Sequence, residues 1–321
     1  MSRTLDDSVP SGIRCGIVLS AGSGTRMRDF VHRLRGHDLP KQYVNFVGKR
    51  SMLEHTFDRA EKLIPAERLS VVIAREHVEF TEVSRQIGSR PPETVVVQPK
   101  NKDTAPGLLL PLIYLYRRYP DAVVAIFPSD HFIIEEDLFI RHVDLAFRVV
   151  EQDGLRIVLL GVEPTAPEPE YGYIVPGEKI KELGLAAARK IEMFVEKPAV
   201  EVAKKIVRIG ALWNTFVMVF RLTVFRLTTL MNVFRRATPE LYRSFQQILK
   251  AIGTPDEQRV LEAVYHELSP INFSTAVLEA LPFEYRQDLL VLPVRGVTWS
   301  DWGSADRLLS GLKKIAQMEN S

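Results

Sequence analysis

A glycine-rich loop that carries an arginine is the part of the sequence with the clearest chemistry. It has the sequence Ser20-Ala21-Gly22-Ser23-Gly24-Thr25-Arg26 and directly follows an apolar, strand-like run. Glycines let backbone N–H groups turn toward an anion, and open α/β sheets bind ligands at the carboxyl ends of their strands. Arg26 can hold phosphate oxygens through two nitrogens, and Lys41, in Pro40-Lys41-Gln42, adds a second charge. The loop matches neither the Walker A motif nor the dinucleotide fingerprint. A plain strand-to-helix turn is the alternative; we predict phosphate binding.

Two carboxylates occupy positions suited to a metal ion. Asp130, in Pro128-Ser129-Asp130-His131, ends a buried strand, and Asp301, in Trp299-Ser300-Asp301-Trp302-Gly303-Ser304, lies between a strand-like segment and a helix. Mg²⁺ binds a few protein oxygens and completes its shell with phosphate and water. The pair therefore predicts a Mg²⁺ site, catalytic together with Arg26 and Lys41. The alternative is that each carboxylate has only a structural role, in which Asp130 caps a turn and Asp301 caps the following helix.

The first half of the chain alternates between short apolar runs and helical patterns. The runs are β-branched and apolar on both faces, as in parallel strands that helices cover. They are Ile13–Ser20, Leu69–Ala74, Thr94–Gln98, Val123–Ser129 and Ile157–Val162. Helical spacing occurs over Met52–Leu63, Asp103–Tyr119 and Leu138–Glu151. This alternation predicts a three-layer α/β/α sandwich around a mainly parallel twisted sheet.

In the second half of the chain, strands and helices no longer alternate regularly. Glu163–Tyr173 is rich in Pro and Glu and is predicted to be a loop. The predicted strands are Lys190–Glu196, Trp213–Phe220 and Leu289–Val294. The predicted helices are Val200–Ile209, Thr223–Met231, Pro239–Ala251, Asp256–Glu267, Phe273–Leu281 and Ala305–Met318. We expect a flexible N-terminus over 1–12, one catalytic domain over 13–304 with a helical insertion, and a C-terminal helix over 305–321.

Composition narrows the class of protein. No apolar run approaches the roughly 18 residues of a membrane span, and the polar N-terminus lacks the apolar region of a signal peptide. Cys15 is the only cysteine, which excludes an intramolecular disulfide and a cysteine-rich metal site. Residues 1–50 contain nine Arg or Lys against four Asp, next to the glycine-rich loop. We expect a cytoplasmic protein that binds a small polyanion rather than nucleic acid or a membrane.

The loop and the downstream Pro40-Lys41-Gln42 together resemble the signature of the sugar-nucleotide pyrophosphorylases. Pro-Ser-Asp-His and Trp-Ser-Asp-x-Gly-Ser resemble its mannose-1-phosphate guanylyltransferase branch. The chain departs from that pattern at Ala21, where the family has Gly, and over Asp29–Arg33. The N-terminal third is equally similar to the cytidylyltransferases of isoprenoid precursor synthesis. The resemblance implies a nucleotide-diphospho-sugar transferase (Rossmann-like) fold, without the further β-rich region or isomerase domain of relatives.

The resemblance also implies roles for individual residues. The loop, with the base-contacting segments Gln98-Pro99 and Thr104-Ala105-Pro106, would bind the nucleotide, and Asp130 and Asp301 would bind Mg²⁺. In Phe194-Val195-Glu196-Lys197-Pro198, Glu196 would bind sugar hydroxyls and Lys197 the sugar phosphate. The implied nucleotide-binding residues are Ala21, Gly22, Gly24, Thr25, Arg26, Gln98, Thr104 and Ala105. The implied sugar-phosphate residues are Gly172, Glu196, Lys197 and Asn214.

The expected reaction is transfer of GMP from GTP to mannose 1-phosphate, giving GDP-mannose and pyrophosphate by Mg²⁺-assisted in-line attack. Three alternatives stay open: another base or sugar, an isoprenoid-precursor cytidylyltransferase, and a non-catalytic regulator that binds nucleotide sugars. The sequence leaves a homodimer open. Thr215-Phe216 replaces the family's Ser-Gly after Trp213-Asn214. Alternation along a strand predicts that the ring of Phe216 points into the core, which would leave a preference for mannose intact.

Overall fold

A computed structural model describes residues 12–180, 188–222, 229–281 and 283–319. Its strands are β1 Arg14–Leu19, β2 Leu69–Ala74, β3 Val95–Gln98, β4 Val123–Pro128, β5 Phe132–Ile133, β6 Ile157–Val162, β7 Gly172–Lys179, β8 Arg189–Glu196, β9 Leu212–Arg221, β10 Leu289–Val294 and β11 Trp299–Ser300. Its α-helices are α1 Arg28–Arg35, α2 Met52–Ala60, α3 Thr81–Gly88, α4 Thr104–Arg118, α5 Glu136–Gln152, α6 Val200–Arg208, α7 Thr229–Ala237, α8 Pro239–Ala251, α9 Glu257–Glu267 and α10 Ala305–Glu319.

Nine of these strands form one sheet in the order β3-β2-β1-β4-β9-β6-β10-β8-β7, and β9 also pairs with β7. Neighbours in β3-β2-β1-β4 are parallel, as are β6 and β10. Every pair that includes β7, β8 or β9 is antiparallel. The described sheet is thus mixed. Strands β1 to β4 form a parallel part, as predicted, and β7, β8 and β9 add antiparallel pairs.

Helices cover both faces of this sheet because alternate strand residues point to opposite sides. On one face Val71 and Val123 belong to one buried cluster with side chains of α2 and α5. On the other face Val72 and Val124 belong to one buried cluster with side chains of α4, α8 and α9. All four valines are fully buried. This arrangement confirms the predicted three-layer α/β/α sandwich and leaves the strand ends, rather than the faces, for ligands.

The sequence-based boundaries agree with the structure for most elements. The predicted loop Glu163–Tyr173 is wrong at its end, because β7 begins at Gly172 and pairs with β8. The predicted helix at Phe273–Leu281 is a π-helix over Ser274–Glu279. The predicted helix at Thr223–Met231 lies mostly outside the described residues, and α7 begins at Thr229. Sequence patterns missed α1, α3 and the short strands β5 and β11. None of the described helices is long and apolar enough to span a bilayer.

Candidate functional site

The glycine-rich loop keeps its shape through buried side chains from the Pro-Lys-Gln segment. The Gln42 amide donates to the carbonyl oxygens of Ser20 and Gly22 at 3.0 and 2.7 Å. Tyr43 Oη also donates to the Ser20 oxygen, at 2.8 Å. Gly24 has φ 60°, and a Cβ there would lie 3.2 Å from the Lys41 nitrogen. A side chain at position 24 would meet both a strained backbone and a close neighbour, which explains the glycine.

A two-stranded ladder brings the two candidate metal residues to the same place. β5 follows Asp130, β11 precedes Asp301, and the strands pair antiparallel with Ser300 opposite Phe132. Lys41 lies between the two segments. Its Nζ is 3.0 Å from Asp130 Oδ2 and donates to the backbone oxygen of Asp301 at 2.6 Å. The structure therefore joins three predicted catalytic positions that are far apart in the chain.

Charges around Asp130 favour its ionised form. Burial raises the pKa of this carboxyl, but the charge and hydrogen bond of the Lys41 ammonium lower it, and the net pKa lies below the ordinary value. Burial lowers the pKa of His131 to about 4, against the opposing effect of Asp130 and Asp301. His131 packs edge-on against Trp299 with ring centroids 5.0 Å apart. At neutral pH the site thus presents an anionic Asp130 beside a neutral imidazole.

Asp301 does not cap α10, so the structure contradicts the local alternative for this residue. The helix begins at Ala305, and Ser304 Oγ accepts from the Arg307 nitrogen at 3.4 Å. Asp301 Oδ1 instead accepts from Tyr171 Oη at 3.1 Å and from the Gly303 nitrogen at 2.9 Å. Arg307 Nε lies 3.2 Å from the same oxygen. Asp301 is thus held by Tyr171, by the Gly303 nitrogen and by the Arg307 side chain, and not as the N-cap of α10.

A cavity of about 670 Å³, which we call the loop cavity, lies between the glycine-rich loop and the ends of β1 and β4. Of the predicted residues it is lined by Ala21, Gly22, Gly24, Thr25, Arg26, Lys41, Thr104, Asp130 and Asp301. Gln98 and Ala105 are fully buried and do not line it. Tyr265 Oη donates to Gln98 Oε1 at 3.4 Å, and Gln98 Nε2 is buried without a hydrogen-bond partner among the described residues. The Gln98 amide nitrogen therefore has unused donors, and the side chain adjoins Gly107, which lines the cavity.

The four predicted sugar-phosphate residues meet where β7, β8 and β9 adjoin, and we call them the strand cluster. Gly172 lies opposite Glu196 in the β7–β8 pair. A Cβ at position 172 would be 2.5 Å from Glu196 Oε2 and 3.6 Å from the Asn214 Cβ. Lys197 Nζ is 3.5 Å from Glu196 Oε1. The close approach of Glu196 explains the glycine, since any side chain there would displace the carboxylate.

The two charged residues of the strand cluster differ in their surroundings. The Glu196 side chain is 13% exposed, and its burial raises the pKa of this carboxyl despite the opposing charge of Lys197. The Lys197 side chain is 55% exposed. Such a pair offers a buried hydrogen-bonding carboxyl beside an accessible cation, a combination suited to a sugar hydroxyl and a phosphate.

Phe216 does not simply point into the core, so the alternation argument was wrong here. The register of β9 against β6 shifts between Leu159 and Gly161, and Phe216 has φ 57° at this irregularity. Its nitrogen donates to Asn214 Oδ1 at 3.0 Å. The half-buried ring packs edge-on against Phe273 with centroids 5.7 Å apart, and it also lines the loop cavity. Phe216 therefore links the strand cluster to the cavity.

Backbone strain is concentrated around this region. Within the described chain, the non-glycine residues with positive φ are Asp103, Lys197, Phe216 and Trp302. Asp103 and Phe216 line the loop cavity, Lys197 belongs to the strand cluster, and Trp302 follows Asp301. Each such residue costs on the order of 1–3 kcal/mol and persists only where its surroundings impose it. The strain supports assigning function to these two neighbouring regions.

Sequence reasoning missed several residues that shape the site. Gln42 and Tyr43 were visible as part of the Pro-Lys-Gln-Tyr run, although no pattern showed that they hold the loop. Arg307 contacts Asp301, and Glu170 contacts Arg26, but no motif pointed to either residue. Glu170 lies more than a hundred positions from both arginines that it contacts, Arg26 and Arg307, so only the folded chain reveals these contacts.

Curated proteins of similar sequence cover most of this chain. The chain is 30% identical over 299 residues to the xanthan biosynthesis protein XanB of Xanthomonas campestris pv. campestris, covering 91% of this chain and 58% of that protein. It is 28% identical over 295 residues to a mannose-1-phosphate guanylyltransferase of Escherichia coli K12, covering 90% and 57%. The chain thus spans little more than half the length of these curated relatives.

A solved structure is similar over most of the fold. The crystal structure described as "mannose-1-phosphate geranyltransferase" from Thermus thermophilus superposes with a TM-score of 0.73 at 26% identity, covering 91% of this chain and 76% of that one. The family model for nucleotidyl transferases matches residues 15–318, a range that includes the loop cavity and the strand cluster. On the strength of that match, this chain belongs to the nucleotidyl transferase family.

Proposed function

We propose that this protein transfers GMP from GTP to mannose 1-phosphate, giving GDP-mannose and pyrophosphate. The observation that carries the proposal is the meeting of Lys41, Asp130 and Asp301 beneath a glycine-rich loop that also presents Arg26. This arrangement places two cations and two carboxylates around a cavity large enough for a nucleotide. It suits a reaction in which negative charge shifts from one phosphate group to another.

The carboxylates of the loop cavity fit a Mg²⁺ ion. Asp130 and Asp301 line the same cavity, and carboxylate oxygens are the protein ligands that Mg²⁺ prefers. No group of three or more His, Cys, Asp or Glu suited to a metal occurs in the described ranges. Two protein carboxylates agree with an ion whose other ligands come from substrate phosphate and water. Bound there, Mg²⁺ would supply neutralisation of phosphate charge.

In the proposed reaction an oxygen of the sugar 1-phosphate attacks the α-phosphorus of GTP. A new O–P bond forms, and the bond from the α-phosphorus to the bridging oxygen breaks as pyrophosphate leaves. The nucleophile is already anionic at neutral pH, so no side chain needs to remove a proton. Arg26 and Lys41 would hold the triphosphate, and Lys197 would hold the sugar phosphate. Their contribution is positioning and charge stabilisation.

The assignment of GTP and mannose rests on similarity and on the strand cluster. Relatives over some 90% of this chain are named mannose-1-phosphate guanylyltransferase. Glu196 and Asn214 offer hydrogen-bonding groups that can distinguish the epimers at a sugar carbon, because a misplaced hydroxyl leaves buried polar partners unpaired. An isoprenoid cytidylyltransferase would leave this cluster without a role.

A matrix of substrates tests the proposal. Pyrophosphate release is measured for each common nucleoside triphosphate with mannose 1-phosphate, glucose 1-phosphate and an isoprenoid precursor phosphate. We expect the highest kcat/KM for GTP with mannose 1-phosphate. A higher value for another pair would replace the base or the sugar in the assignment. Binding of GDP-mannose without turnover of any pair would favour a non-catalytic regulator.

A further inference from the structure

Two arginines from opposite ends of the chain share a single carboxylate oxygen beside the loop cavity. Arg26 Nη1 donates to Glu170 Oε2 at 2.7 Å, and Arg307 Nη2 donates to the same oxygen at 2.6 Å. One anionic oxygen between two guanidinium groups is the arrangement that proteins also use for phosphate. Arg26 is a predicted triphosphate ligand, whereas Arg307 and Glu170 have no assigned role.

Gly303 provides the space in which these groups meet. A Cβ at this position would lie 2.5 Å from Arg307 Nη2, 2.6 Å from Asp301 Oδ2 and 2.8 Å from Arg26 Nη2. Two guanidinium groups and a carboxylate thus converge where any side chain would fill the space. Both arginines also flank Asp301, with N–O distances of 3.6 and 3.2 Å. The convergence adjoins the loop cavity, because Arg26, Asp301 and Gly303 all line it.

The contacts of Arg307 hold it in position independently of Glu170. Its guanidinium lies 5.0 Å from the centre of the Tyr171 ring, and its side chain is 16% exposed. Glu168 Oε2 lies 3.5 Å from its Nη1. Glu170, by contrast, is 43% exposed and lies in the segment between β6 and β7. Exposed ion pairs contribute little to stability, so this carboxylate is the member of the cluster that a competing anion can displace.

We propose that Arg307 is a further phosphate-binding residue, and that Glu170 occupies its phosphate position until the polyphosphate of the substrate displaces it. A polyphosphate carries more charge and more acceptor oxygens than one carboxylate, so it competes effectively for two arginines. The inference rests on the proposed function only in requiring a polyphosphate ligand; it is independent of the base and the sugar.

Binding of inorganic pyrophosphate to the intact protein tests this inference. Isothermal titration calorimetry at fixed ionic strength compares the parent with Glu170→Gln, Arg307→Gln and Arg307→Lys. Removing the competing carboxylate should tighten binding about tenfold, and removing the Arg307 contact should weaken it about tenfold. Arg307→Lys should restore only part of the affinity, because an ammonium lacks the two-pronged geometry.

Glu168→Gln is the matched control, since it removes the same charge next to Arg307 without touching Arg26. We expect it to change pyrophosphate affinity by less than about threefold, because its 3.5 Å contact with Arg307 is longer than the 2.6 Å contact of Glu170. Melting temperatures confirm that each variant is folded. If Arg307→Gln does not fold, the surface substitution Glu170→Gln decides the question by itself.

The inference is overturned if Glu170→Gln binds pyrophosphate no more tightly than the parent, or if a folded Arg307→Gln binds it equally well. An absence of pyrophosphate binding by both the parent and Glu170→Gln would also overturn it. A parent that makes no GDP-mannose but shows the expected order of pyrophosphate affinities would refute the base and sugar assignment alone. The two proposals therefore fail in different experiments.

Discussion

The loop cavity and the strand cluster lie next to each other but are built in different ways. The loop cavity lies at the ends of parallel strands, and its charges are paired: Lys41 contacts Asp130, and Arg26 contacts Glu170. The strand cluster lies on antiparallel strands around a mostly buried carboxyl, Glu196, with an exposed cation beside it. The first region is a dense network of charges, whereas the second provides one hydrogen-bonding group and one cation.

This difference suggests a division of labour. A charge network of fixed geometry is suited to a group whose charge changes during the reaction. A buried carboxyl next to a β-irregularity is suited to recognition by shape and hydrogen bonding. We therefore expect substitutions in the loop cavity to affect kcat and nucleotide binding, and substitutions in the strand cluster to affect the sugar.

The largest expected effects come from the carboxylates of the loop cavity. Asp130→Asn and Asp301→Asn should each lower kcat by about a hundredfold or more, because each removes a ligand of Mg²⁺ where phosphate charge must be neutralised. Steady-state kinetics over a range of Mg²⁺ concentrations measures this. Asp306→Asn, an exposed residue in the first turn of α10, is the control. Near-full activity of Asp301→Asn at limiting Mg²⁺ would rule out its role as a metal ligand.

A second pair of substitutions separates the two regions by substrate. Arg26→Ala should mainly raise the KM for GTP, and Lys197→Ala should mainly raise the KM for mannose 1-phosphate. Each loses a charge-assisted contact worth about 1.5–3 kcal/mol, or roughly tenfold to a hundredfold in KM. The exposed Arg28 provides an Arg28→Ala control. Equal effects of both variants on both KM values would contradict the division of labour.

Two glycines allow the same comparison without any change of charge. Gly303→Ala would place a Cβ against the two arginines, and Gly172→Ala would place one 2.5 Å from Glu196 Oε2. We expect Gly303→Ala to weaken GTP binding and Gly172→Ala to weaken sugar-phosphate binding, each about tenfold, the loss of one charge-assisted contact. Gly88→Ala is the control, because nothing lies within 4 Å of its Cβ position. The KM for GTP and the KM for mannose 1-phosphate are determined for all three variants. They show whether each glycine affects only one of the two substrates.

The smallest effect concerns Phe216, where the two regions join. At φ 57° a side chain is strained, so Phe216→Gly should be more stable than Phe216→Ala by about 0.5–1 kcal/mol in the free energy of unfolding. Both lose the ring, and only the glycine relieves the backbone. Urea denaturation measures the difference.

The variant Phe216→Gly also tests sugar selectivity. The Phe216 ring lines the loop cavity, so its removal should reduce the ratio of kcat/KM for mannose 1-phosphate over glucose 1-phosphate. An unchanged ratio would mean that the ring only supports Phe273. A parent enzyme that prefers glucose 1-phosphate would contradict the assignment of mannose.

Local sequence predicted the parts of the fold that local forces determine. The strands Leu69–Ala74, Ile157–Val162 and Leu289–Val294 have the predicted bounds, because apolar β-branched runs bury both faces of a covered sheet. β7 was missed because its proline and glycine resemble a loop, and its pairing with β8 and β9 overrides that local preference. Phe216 was misjudged because alternation fails across a β-irregularity.

By itself, the sequence determined the fold class, the glycine-rich loop and the residue types that phosphate and metal chemistry require. These follow from short motifs and from the period of apolar residues, which act over a few positions. Only the tertiary structure decided that Lys41 joins Asp130 to the Asp301 segment, that Ser304 rather than Asp301 caps α10, and that Glu170 links Arg26 to Arg307. Hydrogen bonds and charges act through space, and no local pattern records which distant residue the folded chain brings within 3 Å.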